Sequence, residues 1–254
     1  MKITIVTLFP EYFETPFASS IIARARKNGL VDFDIIDLRD FTTDRHRTVD
    51  DYPYGGGCGM VMKPEPVKRA LDFVADKCSK AGEENPVSIY LTPQGELLNQ
   101  KTVEELSERG HILLFCGHYE DMDYRARKLF SREMSVGDYV LSGGEPAAAL
   151  LADALVRKIP GALGNPDSAS EDSFSGDGRI FDCPHYTRPP EWEGIRVPDV
   201  LLNGDHKKIT EYRRARAIIN TMRVRPDLLK VEQLSETDFK IMKRYFLNYH
   251  DSED

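Results

Sequence analysis

Short apolar runs that stop at glycine or at polar loops recur along this chain, with amphipathic stretches between them. Residues 3–9 read as a buried strand that ends at Pro10. Phe13, Phe17, Ile21 and Ala25 follow at near-helical spacing and predict a helix that stops at Asn28-Gly29. Residues 33–38 and 87–91 read as further strands, the second running into Thr92-Pro93-Gln94-Gly95. Between them, Val67, Ala70, Leu71 and Val74 fall on one face of a helix, and residues 101–109 predict another. The run Ile112-Leu113-Leu114-Phe115-Cys116 is too short for a helix and is bounded by Gly117, as a buried parallel strand would be. Residues 145–156, rich in Ala and Leu, predict a helix that Pro160-Gly161 terminates. Alternation of this kind predicts an α/β domain with a largely parallel sheet.

The pattern breaks at Gly164. Up to Gly178 the chain is almost devoid of apolar residues and reads as a flexible linker. A Pro-rich entry and helical patterns follow from about residue 179, which predicts a smaller helical domain. The expected organisation is therefore 1–163, 164–178 and 179–254.

Composition adds bounds rather than an answer. The hydrophobic share of 41% supports a sizeable core, and the net charge of -8 excludes a generally basic nucleic-acid coat. RNA binding stays open, because a local basic face suffices to neutralise phosphates. Four cysteines without a CxxC pair point to reduced thiols, and no run approaches a membrane span. The N-terminal run is too short for a leader and alternates with Thr. A cytoplasmic protein is expected.

Candidate chemistry concentrates in loops. Strand ends at Tyr90-Leu91, at Gly117-His118-Tyr119-Glu120 and around residues 136–141 would meet at one edge of an open α/β sheet and form a cleft walled by main chain. The same glycines also serve as ordinary turn residues. Glu171-Asp172-Ser173-Phe174 reads either as a functional loop or as solvation of a linker. His185 is a candidate for catalysis or for a local hydrogen bond. Lys207, Lys208, Arg213, Arg214, Arg216, Arg223 and Arg225 form either a solvated helix face or a phosphate-contacting surface. No histidine spacing suggests a metal site.

Taken in order, several strings carry a family resemblance: residues 54–60 (Tyr-Gly-Gly-Gly-Cys-Gly-Met), 117–120, 135–145 (Ser-Val-Gly-Asp-Tyr-Val-Leu-Ser-Gly-Gly-Glu), 171–174 and 182–189 (Asp-Cys-Pro-His-Tyr-Thr-Arg-Pro). The chain resembles the bacterial tRNA (guanine-N1-)-methyltransferases, which modify guanosine 37 beside the anticodon. That resemblance implies a SPOUT-type α/β fold with a deep trefoil knot, a small mainly α-helical C-terminal domain that binds tRNA, and a homodimer whose active site is shared between protomers. It implies S-adenosylmethionine held by Tyr90, Leu91, Gly117, Tyr119, Glu120, Val136, Gly137, Asp138, Tyr139, Val140, Leu141, Gly143 and Gly144. It also implies Asp172 as general base on guanine N1 and Arg157 as the partner of O6. Substrate contacts are expected from Gly59, Met60, Phe174, His185, Arg188, Arg213 and Arg216. Family behaviour suggests that magnesium assists, although no ligand cluster in the sequence answers to it. No DNA or membrane partner is expected. Three positions depart from the family pattern. Cys58 stands where Pro is usual, Asp121 where Gly is usual, and Pro146 directly follows Glu145.

Overall fold

The computed structural model describes residues 1–164, 172–176, 179–230, 232 and 234–246. It divides into two compact units, 1–165 and 166–254. Most of the expected linker, including Glu171, lies outside the described residues.

The first unit is built on a five-stranded sheet. Its strands are β1 (Lys2–Thr7), β2 (Asp32–Asp37), β5 (Val87–Leu97), β6 (His111–Cys116) and β8 (Arg132–Ser135), in the order β2-β1-β6-β5-β8. Every pairing in it is parallel. Both faces are covered, and strand periodicity divides the apolar residues between two cores. From β6, Ile112, Leu114 and Cys116 join one core, while Leu113 and Phe115 join the other. Helix α5 (Glu145–Lys158) supplies Leu151 and Leu155 to the first core, and helix α2 (Pro64–Ala81) supplies Val67, Ala70 and Val74 to the second.

Two expectations need correction. The first helix does not run from Phe13 to Ala25. Pro16 lacks the amide that a continuous helix requires, and the segment breaks into two 3-10 turns, Pro10–Phe13 and Pro16–Ala18, before α1 (Ser20–Lys27). Phe13, Phe17 and Ala25 are buried as expected, but Ile22 rather than Ile21 joins them. The second correction concerns β5, which does not end at Leu91. After an irregularity around Pro93, Glu96 and Leu97 pair again with Met134 and Ser135 of β8.

A small sheet joins two distant loops. Strand β3 (Asp50–Asp51) pairs antiparallel with β4 (Val61–Met62), and β4 pairs parallel with β7 (Asp121–Met122). It brings the glycine cluster at 55–59 to the loop after β6. Helices α3 (Gln100–Ser107) and α4 (Tyr124–Arg127) complete the unit.

The second unit contains a hairpin, β9 (Glu191–Trp192) with β10 (Ile195–Arg196), and helices α6 (His206–Val224) and α7 (Glu236–Phe246). Ile180, Cys183, Ala217 and Ile218 form its small core. The Arg214 guanidinium donates to Asp238 at 2.8 and 3.2 Å and ties α6 to α7.

Candidate active site

Beyond the carboxyl ends of β6 and β8, and beside the irregular stretch of β5, lies a cleft of about 390 Å³. Its position follows the rule for open parallel sheets, and its size falls in the range of about 300–1,000 Å³ typical of small-molecule sites. Three segments wall it: 90–94, 117–121 and 134–144. Every residue expected to hold the donor lines this cleft except Asp138, which is exposed and turned outside the lining.

The walls meet through close backbone approach. The Gly144 amide donates to the Gly117 carbonyl at 2.9 Å. A side chain at Gly144 would sit 2.6 Å from the Cys116 Cα, so the N-terminus of α5 can touch the end of β6 only as glycine. At Gly137 the reason is conformational, since its φ of 155° lies outside the range comfortable for other residues. Tyr119 also adopts a left-handed φ, 64°, in the wall itself. Such strain in an aromatic residue persists where the surroundings hold it, and here it leaves the ring half-exposed at the cleft.

Buried polar groups sit behind the walls. The Glu145 side chain, 4% exposed, accepts from the Thr7 hydroxyl at 2.6 Å and lies 2.9 Å from His118 Nε2. That pairing satisfies a carboxylate that would otherwise be costly to bury. Burial, with Glu145 nearby, pushes the Cys116 thiol well up, so it stays protonated and is no nucleophile. Burial, reinforced by Asp121, likewise keeps the Tyr90 phenol protonated. Gly59 and Met60 adjoin the same wall. The Glu120 amide donates to the Met60 carbonyl at 3.1 Å, and the Glu120 side chain lies against Gly59.

A family model described as tRNA (Guanine-1)-methyltransferase TrmD matches residues 1–231. The chain belongs to that family. It is 48% identical over 243 residues to a tRNA (guanine-N(1)-)-methyltransferase of Dictyoglomus turgidum, covering 96% of each chain. It is 47% identical to the protein of that name from Carboxydothermus hydrogenoformans, over 94% of this chain and 91% of the relative. With the one from Shouchella clausii it shares 46% identity, over 96% and 98%.

Of the remaining expected residues, Arg157 belongs to the first unit and the others to the second. Arg157 is half-buried in the last turn of α5, at the opposite end of that helix from the cleft. Ten residues separate it from Ala147 in the cleft wall, roughly 15 Å along the axis. In the second unit, Asp172 is exposed and its carbonyl accepts from the Ser175 amide at 3.1 Å. Phe174 lies edge-on to Phe181 at 5.6 Å. His185, Arg188 and Arg213 share the lining of a second cavity, about 720 Å³, with Tyr186 and Ile209. His185 Nε2 is 2.7 Å from Asp182 Oδ2, as the local hydrogen-bond reading anticipates. Arg216 sits on α6, half-buried, and does not line that cavity.

The expected donor-binding set leaves out His118, Asp121 and Gln94, all of which line the cleft, although the first belongs to an expected wall and the second is expected near the donor pocket. The first two stand inside or beside the quoted 117–120 string, and Gln94 belongs to the loop that ends the predicted strand. Treating every residue of a strand-end loop as lining would have found them. Among the described residues, two groups bring three metal-capable side chains together: Cys78, Glu83 and His111, and Asp182, Cys183 and His185. Both mix sulfur and nitrogen donors and do not fit the oxygen set that magnesium takes.

Proposed function

We propose that this protein methylates N1 of guanosine 37 in tRNA with S-adenosylmethionine as donor. We further propose that it acts as a homodimer, each site joining the cleft of one copy to Arg157 and Asp172 of the other. One observation carries the reading. Two of the glycine-bearing strings that carry the family resemblance, 117–120 and 135–145, converge as walls of one main-chain-lined cleft of ligand size. The α/β unit is read as a SPOUT fold with a trefoil knot, a reading supported by the return of Gly144 across the Cys116-Gly117 strand end.

When bound, S-adenosylmethionine supplies an electrophilic methyl group on a sulfonium. The chain's own residues do the rest. Guanine N1 carries a proton and is a poor nucleophile until it leaves, so the Asp172 carboxylate takes that proton. Charge then gathers on O6, where the Arg157 guanidinium offsets it. The cleft walls orient the reacting groups in line. The position of Arg157 supports the two-copy arrangement, because it lies roughly 15 Å along α5 from the cleft wall of its own copy.

Incubation with labelled donor and tRNA transcripts bearing G37 or A37 tests the reaction. The expected product is 1-methylguanosine from the G37 transcript alone. A 2′-O-methylated nucleoside would instead indicate ribose chemistry, which has no use for Asp172, and absence of donor binding would indicate a non-catalytic RNA-binding protein. Mixing Asp172→Ala with Gly144→Ala protomers tests the sharing. Random reassortment should restore about a quarter of wild-type activity, since half the dimers keep one intact site. No recovery would place cleft and base in the same copy.

A further inference from the structure

The cleft has three walls from three separate strand ends, and one buried side chain reaches all of them. Arg127, at the end of the one-turn helix α4, has a side chain 9% exposed. Its Nη1 donates to Gln94 Oε1 at 2.8 Å, on the irregular stretch of β5, and to Asp121 Oδ2 at 3.3 Å, on the loop after β6. Its Nε donates to Glu133 Oε1 at 3.1 Å, and Nη2 holds the other oxygen of the same carboxylate. Glu133 lies on β8, immediately before the lining residues Met134 and Ser135. The chain of hydrogen bonds then passes inward. Asp121 Oδ1 accepts from the Tyr90 hydroxyl at 2.6 Å and from the Met122 amide at 2.7 Å. The Tyr90 ring lies directly beneath Gly117, where an added Cβ would come within 2.8 Å of its hydroxyl oxygen.

We infer that Arg127 is a positioning residue of the cleft, holding the walls at the spacing the methyl donor needs, with Asp121 as its link to Tyr90. The inference rests on reading the cleft as the donor site. Arg127 touches no reacting atom. It acts by fixing Gln94, Asp121 and β8 relative to one another, and a planar five-donor fork is what such a three-way tie requires. A lysine keeps the charge but presents a point donor that cannot hold Glu133 bidentately while reaching Gln94 and Asp121. Without a carboxylate at Asp121, Arg127 would lose one of its three ties and the Tyr90 hydroxyl would lose the acceptor it donates to.

Arg127→Lys, Asp121→Asn, the double variant and Glu133→Gln test the inference by calorimetry with S-adenosylmethionine, steady-state kinetics and thermal melts with and without donor. For Arg127→Lys the dissociation constant and KM for donor should rise on the order of tenfold, while kcat at saturating donor and KM for tRNA stay within about twofold. The donor-induced rise in Tm should shrink accordingly. The double variant should weaken donor binding by less than the product of the two single effects, because both changes break the Arg127–Asp121 tie; a fully multiplicative loss would count against the link. A lowered Tm of the free protein with an undiminished donor-induced rise would make Arg127 merely structural and overturn the inference. Should Arg127→Lys fail to fold, Glu133→Gln decides: a weakened donor affinity upholds the tie, and an unchanged one refutes it. Wild-type protein that does not bind donor would sink the donor reading together with this inference. Wild-type binding with unaltered affinity in the variants would sink the inference alone.

Discussion

Replacing Gly144 with alanine adds one methyl group where the chain has no room for it. Gly144 has φ -79° and ψ -10°, an ordinary conformation that alanine adopts freely, so any effect is steric. The new Cβ would lie 2.6 Å from the Cys116 Cα, 2.9 Å from the Gly117 nitrogen and 3.1 Å from the Cys116 carbonyl carbon. All three are backbone atoms in or directly after β6, and none can rotate away. Relief requires α5 to withdraw from the strand end, which stretches the 2.9 Å hydrogen bond from Gly144 N to Gly117 O. Overpacking of this kind costs about 1–3 kcal/mol, and a broken hydrogen bond adds about 1. The smaller entropy of the unfolded alanine chain returns about 0.4–1 kcal/mol. The net is a destabilisation of roughly 1–3.6 kcal/mol, or a Tm lower by about 2–14 °C. The same withdrawal opens the cleft between two of its walls, and donor affinity should fall on the order of a hundredfold. Urea melts followed by far-ultraviolet circular dichroism measure the first effect and calorimetry the second. Gly110→Ala is the control, because a Cβ there meets nothing within 4 Å. If Gly144→Ala melts like that control and binds donor like the wild type, the close-approach argument is wrong.

Asp172→Ala should lower kcat by about 10²–10⁴ while donor affinity, measured by calorimetry, stays within twofold. Unchanged turnover of a G37 transcript would remove Asp172 from its role. Arg213→Ala with Arg216→Ala should flatten the dependence of log tRNA affinity on log salt by about 0.7–0.9 for each phosphate left unneutralised, and an unaltered slope would count against a phosphate-binding face on α6. Asp238 answers to pH. The Arg214 hydrogen bond holds its carboxyl down to about 2 from an ordinary 3.8. Because the folded value is the lower one, the stabilisation is complete above about 3.8 and is lost as pH falls through 3.8 toward 2. Acid titrations followed by the fluorescence of Trp192, the sole tryptophan, should show the second unit weakening in that window. Asp238→Asn should be less stable at pH 7 and should lose that part of the pH dependence; an identical acid profile would refute the pairing.

Much of the α/β framework was legible because buried parallel strands leave a strong local mark. In β6 nearly every residue is apolar, and period-two alternation sends Leu113 and Phe115 to one core and Ile112 and Leu114 to the other. Glycines that end such runs also announced the cleft, since a loop that must approach another backbone tolerates little else. Local reading faltered where a breaker was absorbed by its surroundings. Pro93 marks an irregularity inside β5 rather than its end, because β8 supplies partners again at Glu96 and Leu97. Pro16 did the opposite and broke a helix that apolar spacing had favoured.

Local sequence carries the elements, the family motifs and the residue types capable of the chemistry. Which of those residues meet is settled by contacts between distant segments. Arg127 touches Gln94, which lies 33 positions away, through the parallel pairing of β5 with β8. Arg157, close to the cleft wall in sequence, is carried away from it along the whole of α5. The reason is that side-chain periodicity is a property of a few neighbouring residues, whereas a site is assembled by register and crossover between segments whose separation leaves no periodic trace.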